Sequence, residues 1–174
     1  PFLVLATQNP IEYEGTYPLP ESQLDRFLLK LRIGYPSADA ERKIYATRGP
    51  GLDGIDSLPQ VLTAQEVTTL SDGVPKVKVD PAIATYILEL VTRSRDDRSL
   101  VAGVSPRGGV ALYRAAQASA FLAGRTYVVP DDVKDLAVAV LGHRVIPRAR
   151  RSGEGADAGA AVITRLLDEV ACPA

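Results

Sequence analysis

Phe2-Leu3-Val4-Leu5-Ala6-Thr7-Gln8-Asn9-Pro10 opens the chain, and Glu12-Tyr13-Glu14-Gly15-Thr16-Tyr17-Pro18-Leu19-Pro20-Glu21-Ser22-Gln23-Leu24-Asp25-Arg26-Phe27 follows almost at once. The continuous apolar run from Phe2 to Ala6 has the pattern of a strand buried on both faces of a parallel sheet. From Thr7 to Pro20 the residues turn polar and rich in Gly and Pro, which reads as a long ordered loop at the strand's C-terminal end. In open α/β sheets that end is where ligands bind. A short helix from about Glu21 to Phe27 is expected next, then a second apolar run, Leu28 to Ile33, closed by Gly34, Tyr35 and Pro36. Two strands and one short helix do not complete a sheet. This segment therefore reads as a piece of something larger, with a part before Pro1 missing. Without sheet neighbours, the two strands are expected to be buried by pairing with each other or with another copy of the chain.

The remainder reads as helices. Ser37 is a good N-cap for a helix to about Thr47, and Gly49, Pro50, Gly51 and Gly54 mark a loop. Thr63 caps a segment to about Ser71, with Glu66 three residues on as the capping-box partner. Val77 to Val79 form an extended link. Asp80 and Pro81 then start a helix that places Ile83, Tyr86, Ile87, Leu90 and Val91 on one face. Ser105 and Pro106 open another, running to about Ala123, where Gly124 suits a left-handed C-cap. Pro130, Asp131 and Asp132 begin a helix carrying Val133, Leu136, Ala137 and Val140, although Val129 at its N-cap position offers no side-chain acceptor. A last helix is expected from Asp157 to Val170.

With 46% hydrophobic and 24% charged residues, the 174-residue chain has the composition of a folded globular protein. Its 20 basic and 21 acidic residues nearly cancel, which removes the general electrostatic case for nucleic acid or an anionic membrane. Cys172 is the single cysteine and reads as a tail residue, in keeping with a reducing cytoplasm. No apolar run reaches the roughly 20 residues needed to span a bilayer.

No Gly-Lys-Ser/Thr sequence occurs, so the chain has no Walker A loop. Leu166-Leu167-Asp168-Glu169 is a poor Walker B candidate, because Thr164 and Arg165 interrupt the apolar strand that motif needs, and it reads as the end of an amphipathic helix. One histidine and one cysteine supply no metal constellation. Asn9, at the end of the first strand, carries a carboxamide that can orient an attacking water against a terminal phosphate; its alternative is a cap on the turn before Pro10. His143, Arg144, Arg148, Arg150 and Arg151 read as a solvated basic surface. The cluster of Arg93, Arg95, Asp96, Asp97 and Arg98 reads as a charged helix end.

The run from Ala6 to Phe27 closely resembles the MoxR family of AAA+ ATPases, and Ser105-Pro106-Arg107 looks like that family's sensor 2 motif, with Gly124 to Val133 following at the usual place. The resemblance implies a mainly α chain: residues 1–36 as the C-terminal remnant of a parallel α/β AAA+ core with two strands, and residues 37–174 as a helical lid. It implies Asn9 as sensor 1 and Arg26 as an arginine finger acting on a neighbouring subunit's nucleotide. Arg107 would reach from the lid to the phosphates. The planar, permanently charged guanidinium suits both arginine roles because it binds two phosphate oxygens at once. The bland alternatives are a salt bridge from Arg26 to Asp25 or Glu21, and an exposed arginine at position 107. Gly108 and Gly109 depart from a strong helix start, each weakening it by about 1 kcal/mol against alanine.

For the complete protein the resemblance implies ATP and Mg2+, a homo-oligomeric ring, a hexamer, and client proteins, some with von Willebrand A domains. It implies chaperone-like maturation of those partners. The fragment alone, lacking Walker A and B, is expected to hold no cofactor and to be inactive. A non-catalytic helical interaction module is the alternative reading.

Overall fold

Residues 2–7, 19–46, 58–148 and 158–173 are described by the computed structural model, and among them the chain is mainly helical. The helices are α1 (Glu21–Leu24), α2 (Ala38–Ala46), α3 (Ala64–Gly73), α4 (Pro81–Asp96), α5 (Pro106–Leu122), α6 (Pro130–Leu141) and α7 (Ala158–Glu169). Two short strands, β1 (Leu100–Ala102) and β2 (Ile146–Pro147), pair antiparallel with Leu100 opposite Pro147 and Ala102 opposite Ile146.

The starts of α3, α4 and α5 are built as their sequences dictate. Thr63 Oγ1 accepts from the Glu66 N–H at 3.2 Å while the Glu66 carboxylate accepts from the Thr63 N–H at 2.7 Å, a complete capping box. The Asp80 carboxylate accepts from the Ala82 N–H at 2.8 Å, and Pro81 has no N–H to leave unsatisfied. Ser105 Oγ accepts from the Gly108 N–H at 3.3 Å. At the far end of α5, Gly124 takes φ +74°, the left-handed conformation that only glycine adopts without cost.

The helix start with the poorest apparent cap is closed another way. Val129 has no side-chain acceptor, but Asp132 reaches back and accepts from the Val129 N–H at 2.9 Å. The same carboxylate, almost fully buried, takes both arms of the Arg125 guanidinium at 2.7 Å and the Ser119 hydroxyl at 2.8 Å. Burial pushes the Asp132 carboxyl up, yet the bonds from Arg125, Val129 and Ser119 outweigh it and hold the group below its ordinary range.

The core lies between α4, α5, α6 and α7. Ile83, Tyr86, Ile87, Leu90 and Val91 form the buried face of α4, as the helical period requires. Leu112, Ala116 and Ala120 of α5 meet Val133, Ala137, Val140 and Leu141 of α6, all fully buried, and the alanines let the two helices pack closely. Ile163 and Leu166 bring α7 onto α4 and α6. Val77 to Val79 are extended as expected: Lys78 N–H donates to the Thr126 carbonyl at 2.9 Å and the Lys78 carbonyl accepts from Val128 at 3.0 Å.

Two expectations are corrected. No strand forms at 2–6 or at 28–33, and the runs do not pair with each other; among the described residues the sheet is β1–β2 alone. Their apolar side chains lie open, with Phe2 93% and Ile33 97% exposed. A parallel strand takes its hydrogen bonds from neighbours on both sides, and the described residues supply none. The helix expected to reach Phe27 ends at Leu24 and is continued by turns, in which Arg26 N–H donates to Gln23 and Phe27 N–H to Leu24, both at 3.1 Å.

Candidate functional site

Arg144 sits just after the C-terminus of α6, on a turn compressed from two sides. A Cβ on Gly142 would fall 2.7 Å from the Val138 carbonyl oxygen, and one on Gly159 would fall 2.3 Å from the Gly142 carbonyl oxygen. Glycine at both places lets the start of α7 press against the turn. Two residues beyond, β2 fixes the chain against β1. The guanidinium is thereby directed inward, and the Arg144 side chain is only 2% exposed.

What it meets is the turn that carries Arg26. Arg144 Nε donates to the Asp25 carboxylate at 3.1 Å. Its Nη2 donates to the Asp25 carbonyl at 3.2 Å and to the Phe27 carbonyl at 2.6 Å, and its Nη1 donates to the Leu28 carbonyl at 3.2 Å and to the Val140 carbonyl. The planar fork of five donors can satisfy such a set; an ammonium has neither the number nor the spread. His143 adds a bond from Nε2 to the same Phe27 carbonyl at 3.1 Å, and Lys30 N–H donates to the Ala139 carbonyl at 2.9 Å. Burial and the adjacent Arg144 charge hold the His143 imidazole below its ordinary pKa, which favours its neutral form.

The start of α5 completes the arrangement. Ser105, its N-cap, directs its hydroxyl toward both oxygens of Asp25 at 3.4 and 3.5 Å. Arg107, two positions on, is exposed at the positive end of the helix. Burial pushes the Arg144 guanidinium down, the Asp25 charge and hydrogen bond pull it up, and repulsion from Arg107 pushes it down again. Asp25, Arg107 and Arg144 together carry one net positive charge. Arg107 is thus an exposed cation at the positive end of a helix, within electrostatic reach of the Asp25–Arg144 pair.

Of the three residues singled out in the sequence, Arg26 and Arg107 lie on the two elements that Arg144, Asp25 and Ser105 bind together. Asn9 lies outside the described residues, as do Arg150 and Arg151. Arg26 is exposed, and the Asp25 carboxylate beside it turns to Arg144. The basic stretch read as solvated surface is corrected here: Arg144 is buried and His143 partly so. Gly108 has a packing role that its place in the helix did not reveal. A Cβ there would lie 2.5 Å from Val104 Cγ1 and 3.0 Å from Arg144 Cδ, so the glycine makes room for the Arg144 stem. No grouping of His, Cys, Asp and Glu among the described residues is suited to a metal ion. No described helix is long and apolar enough to cross a membrane.

The start of α5 and the turn of residues 25–28 are thus held together through Asp25, Ser105 and Arg144. Residues 92–163 match the AAA lid domain family, and residues 1–29 match the ATPase family associated with various cellular activities. YeaC of Bacillus subtilis is 44% identical over 173 residues, covering 99% of this chain and 53% of that protein. The chaperone MoxR1 of Mycobacterium tuberculosis is 39% identical over 185 residues, covering 99% and 47%. A crystal structure from Cytophaga hutchinsonii, of a protein described as a "putative ATPase", superposes with a TM-score of 0.85 at 33% identity, covering 100% of this chain and 55% of that one. The chain belongs to the MoxR family of AAA+ ATPases. It spans about half the length of the curated relatives it matches.

Proposed function

We propose that this chain is the C-terminal portion of a MoxR-like AAA+ ATPase, with residues 1–36 belonging to the ATPase core and residues 37–174 forming its lid. The complete protein binds and hydrolyses ATP with Mg2+ and uses the resulting rearrangement of a homo-oligomeric ring, a hexamer, for chaperone-like maturation of partner proteins in the cytoplasm. Clients with von Willebrand A domains suit this reading. The observation that carries it is the bond set from Asp25, Ser105 and Arg144, which joins the turn of Arg26 to the helix start of Arg107.

ATP and Mg2+ supply the phosphoryl chemistry, and the chain supplies charge and position. Arg107 binds phosphate oxygens from the lid. Asn9 orients water. Arg26, exposed on its turn, stabilises the charge that develops on a neighbour's nucleotide, the kind of interaction that accelerates phosphoryl transfer by about 1,000-fold or more. The chain by itself, having neither Walker motif, turns over no ATP; clear hydrolysis by these 174 residues contradicts the reading.

The direct test is Arg26→Ala in the complete protein. Turnover is expected to fall at least about 100-fold, with nucleotide affinity unchanged within about threefold. Loss of nucleotide binding instead makes Arg26 a structural residue.

A further inference from the structure

We infer that Arg144 is the positioning residue of Arg26: from the lid, it fixes the backbone on both sides of the finger, so that the lid and the finger move as one unit. This rests on the reading of Arg26 as a finger. Neither the lid reading nor the finger reading by itself requires a buried arginine here.

The geometry is specific to that task. Arg26 is flanked by Asp25 on one side and by Phe27 and Leu28 on the other, and Arg144 donates to the carbonyls of all three while its Nε holds the Asp25 side chain. Beyond Arg144, the turn is held by the Ser105 hydroxyl, His143 Nε2 and the Lys30–Ala139 backbone bond, each reaching a single residue of it. α1 is four residues long and buries no side chain, and Leu28 is exposed. An isolated turn of that length does not keep a conformation in water. The clamp is anchored in the lid core, because Nη1 also donates to the Val140 carbonyl of α6 and the side-chain stem rests against Gly108 of α5. Ser105, the N-cap of α5 and two positions before Arg107, directs its hydroxyl to both oxygens of the same Asp25 carboxylate. A shift of α5 on binding phosphate at Arg107 is therefore carried to Arg26 through bonded groups, and a displacement of about 1 Å at a finger is enough to cost about 100-fold in rate.

The test uses the complete ATPase with Arg144→Lys, Asp25→Asn, Arg26→Ala and the double variant Arg144→Lys with Arg26→Ala. Steady-state hydrolysis is read together with amide hydrogen exchange of residues 24–30. Arg144→Lys and Asp25→Asn are expected to lower kcat by about tenfold to 100-fold with KM held within about threefold. Exchange at 25–28 should rise while the α5 and α6 core stays protected. On the Arg26→Ala background, Arg144→Lys should cause no further loss, because it acts through a side chain already removed. Full multiplication of the two losses, or unchanged exchange at 25–28, overturns the proposal and leaves the finger assignment standing. Unchanged kcat in Arg26→Ala removes the finger assignment and this proposal with it. If Arg144→Lys loses protection throughout the core, Asp25→Asn decides by the same two readouts.

Discussion

Asp25 and Arg144, 119 positions apart in the sequence, form a 3.1 Å ion pair in which the arginine side chain is 2% exposed and the aspartate side chain 27%. The asymmetry identifies which partner is committed. Asp25 still reaches water, whereas Arg144 has exchanged its hydration for one carboxylate and four backbone carbonyls. Buried guanidinium is tolerable only when its donors are this fully used. The contact closes the fold and also couples the two arginines to which a nucleotide role is assigned.

Gly108 and Gly109 are adjacent in the first turn of α5 but should not respond alike to alanine. At Gly108 a Cβ would strike Val104 and the Arg144 stem, at 2.5 and 3.0 Å, and overpacking of this kind costs about 1–3 kcal/mol. At Gly109 the nearest atom is a Val91 methyl at 3.3 Å, so the gain in helix propensity of about 1 kcal/mol offsets a small adjustment. Urea unfolding is expected to show Gly108→Ala clearly destabilised and Gly109→Ala near neutral. Equal effects of the two would contradict the packing described for Arg144.

Asp132 should govern part of the acid sensitivity. Its carboxyl is held below the ordinary value of 3.8, so the folded state binds its proton less readily than the unfolded chain. Its contribution is therefore fully present above the ordinary value and is lost as pH falls through the lower folded one. Asp132→Ala strands the Arg125 fork and the Ser119 hydroxyl and is expected to cost about 3 kcal/mol at neutral pH. Unfolding followed from about pH 5 to pH 2 should show a shallower acid loss in the variant than in the parent. Parallel curves would mean that Asp132 is not the titrating group.

Much of the helical architecture was legible because its signals are local. Thr63 with Glu66, Asp80 with Pro81, Ser105 with Pro106, and Gly124 each satisfy backbone groups within four residues of themselves. The face of α4 follows from period alone. What was not legible depends on distant partners. Arg144 stands in a basic stretch with Arg148, Arg150 and Arg151, and nothing near it in sequence says that it points inward to residues 25–28. Gly108 looked like a weakness because the atoms that need its space belong to Val104 and Arg144. Val129 looked uncapped because the acceptor comes from Asp132, three residues later. The apolar runs at 2–6 and 28–33 carry strand character, but a strand is a property of a sheet, and the described residues place no strand beside either run. Of the candidate site, Arg26 and Arg107 were proposed through family resemblance; Arg144, which joins their two elements, was not singled out by any local signal.

The central claim, that this chain presents Arg26 to a nucleotide held by another subunit, is tested most directly by mixing two inactive forms of the complete protein. One carries Arg26→Ala with an intact phosphate-binding loop, and the other keeps Arg26 but has that loop's lysine replaced. In mixed assemblies the intact finger of the second faces the intact pocket of the first. The account predicts that hydrolysis returns on mixing, in proportion to the fraction of such interfaces. Mixed assemblies that form but remain as inactive as either parent would contradict it.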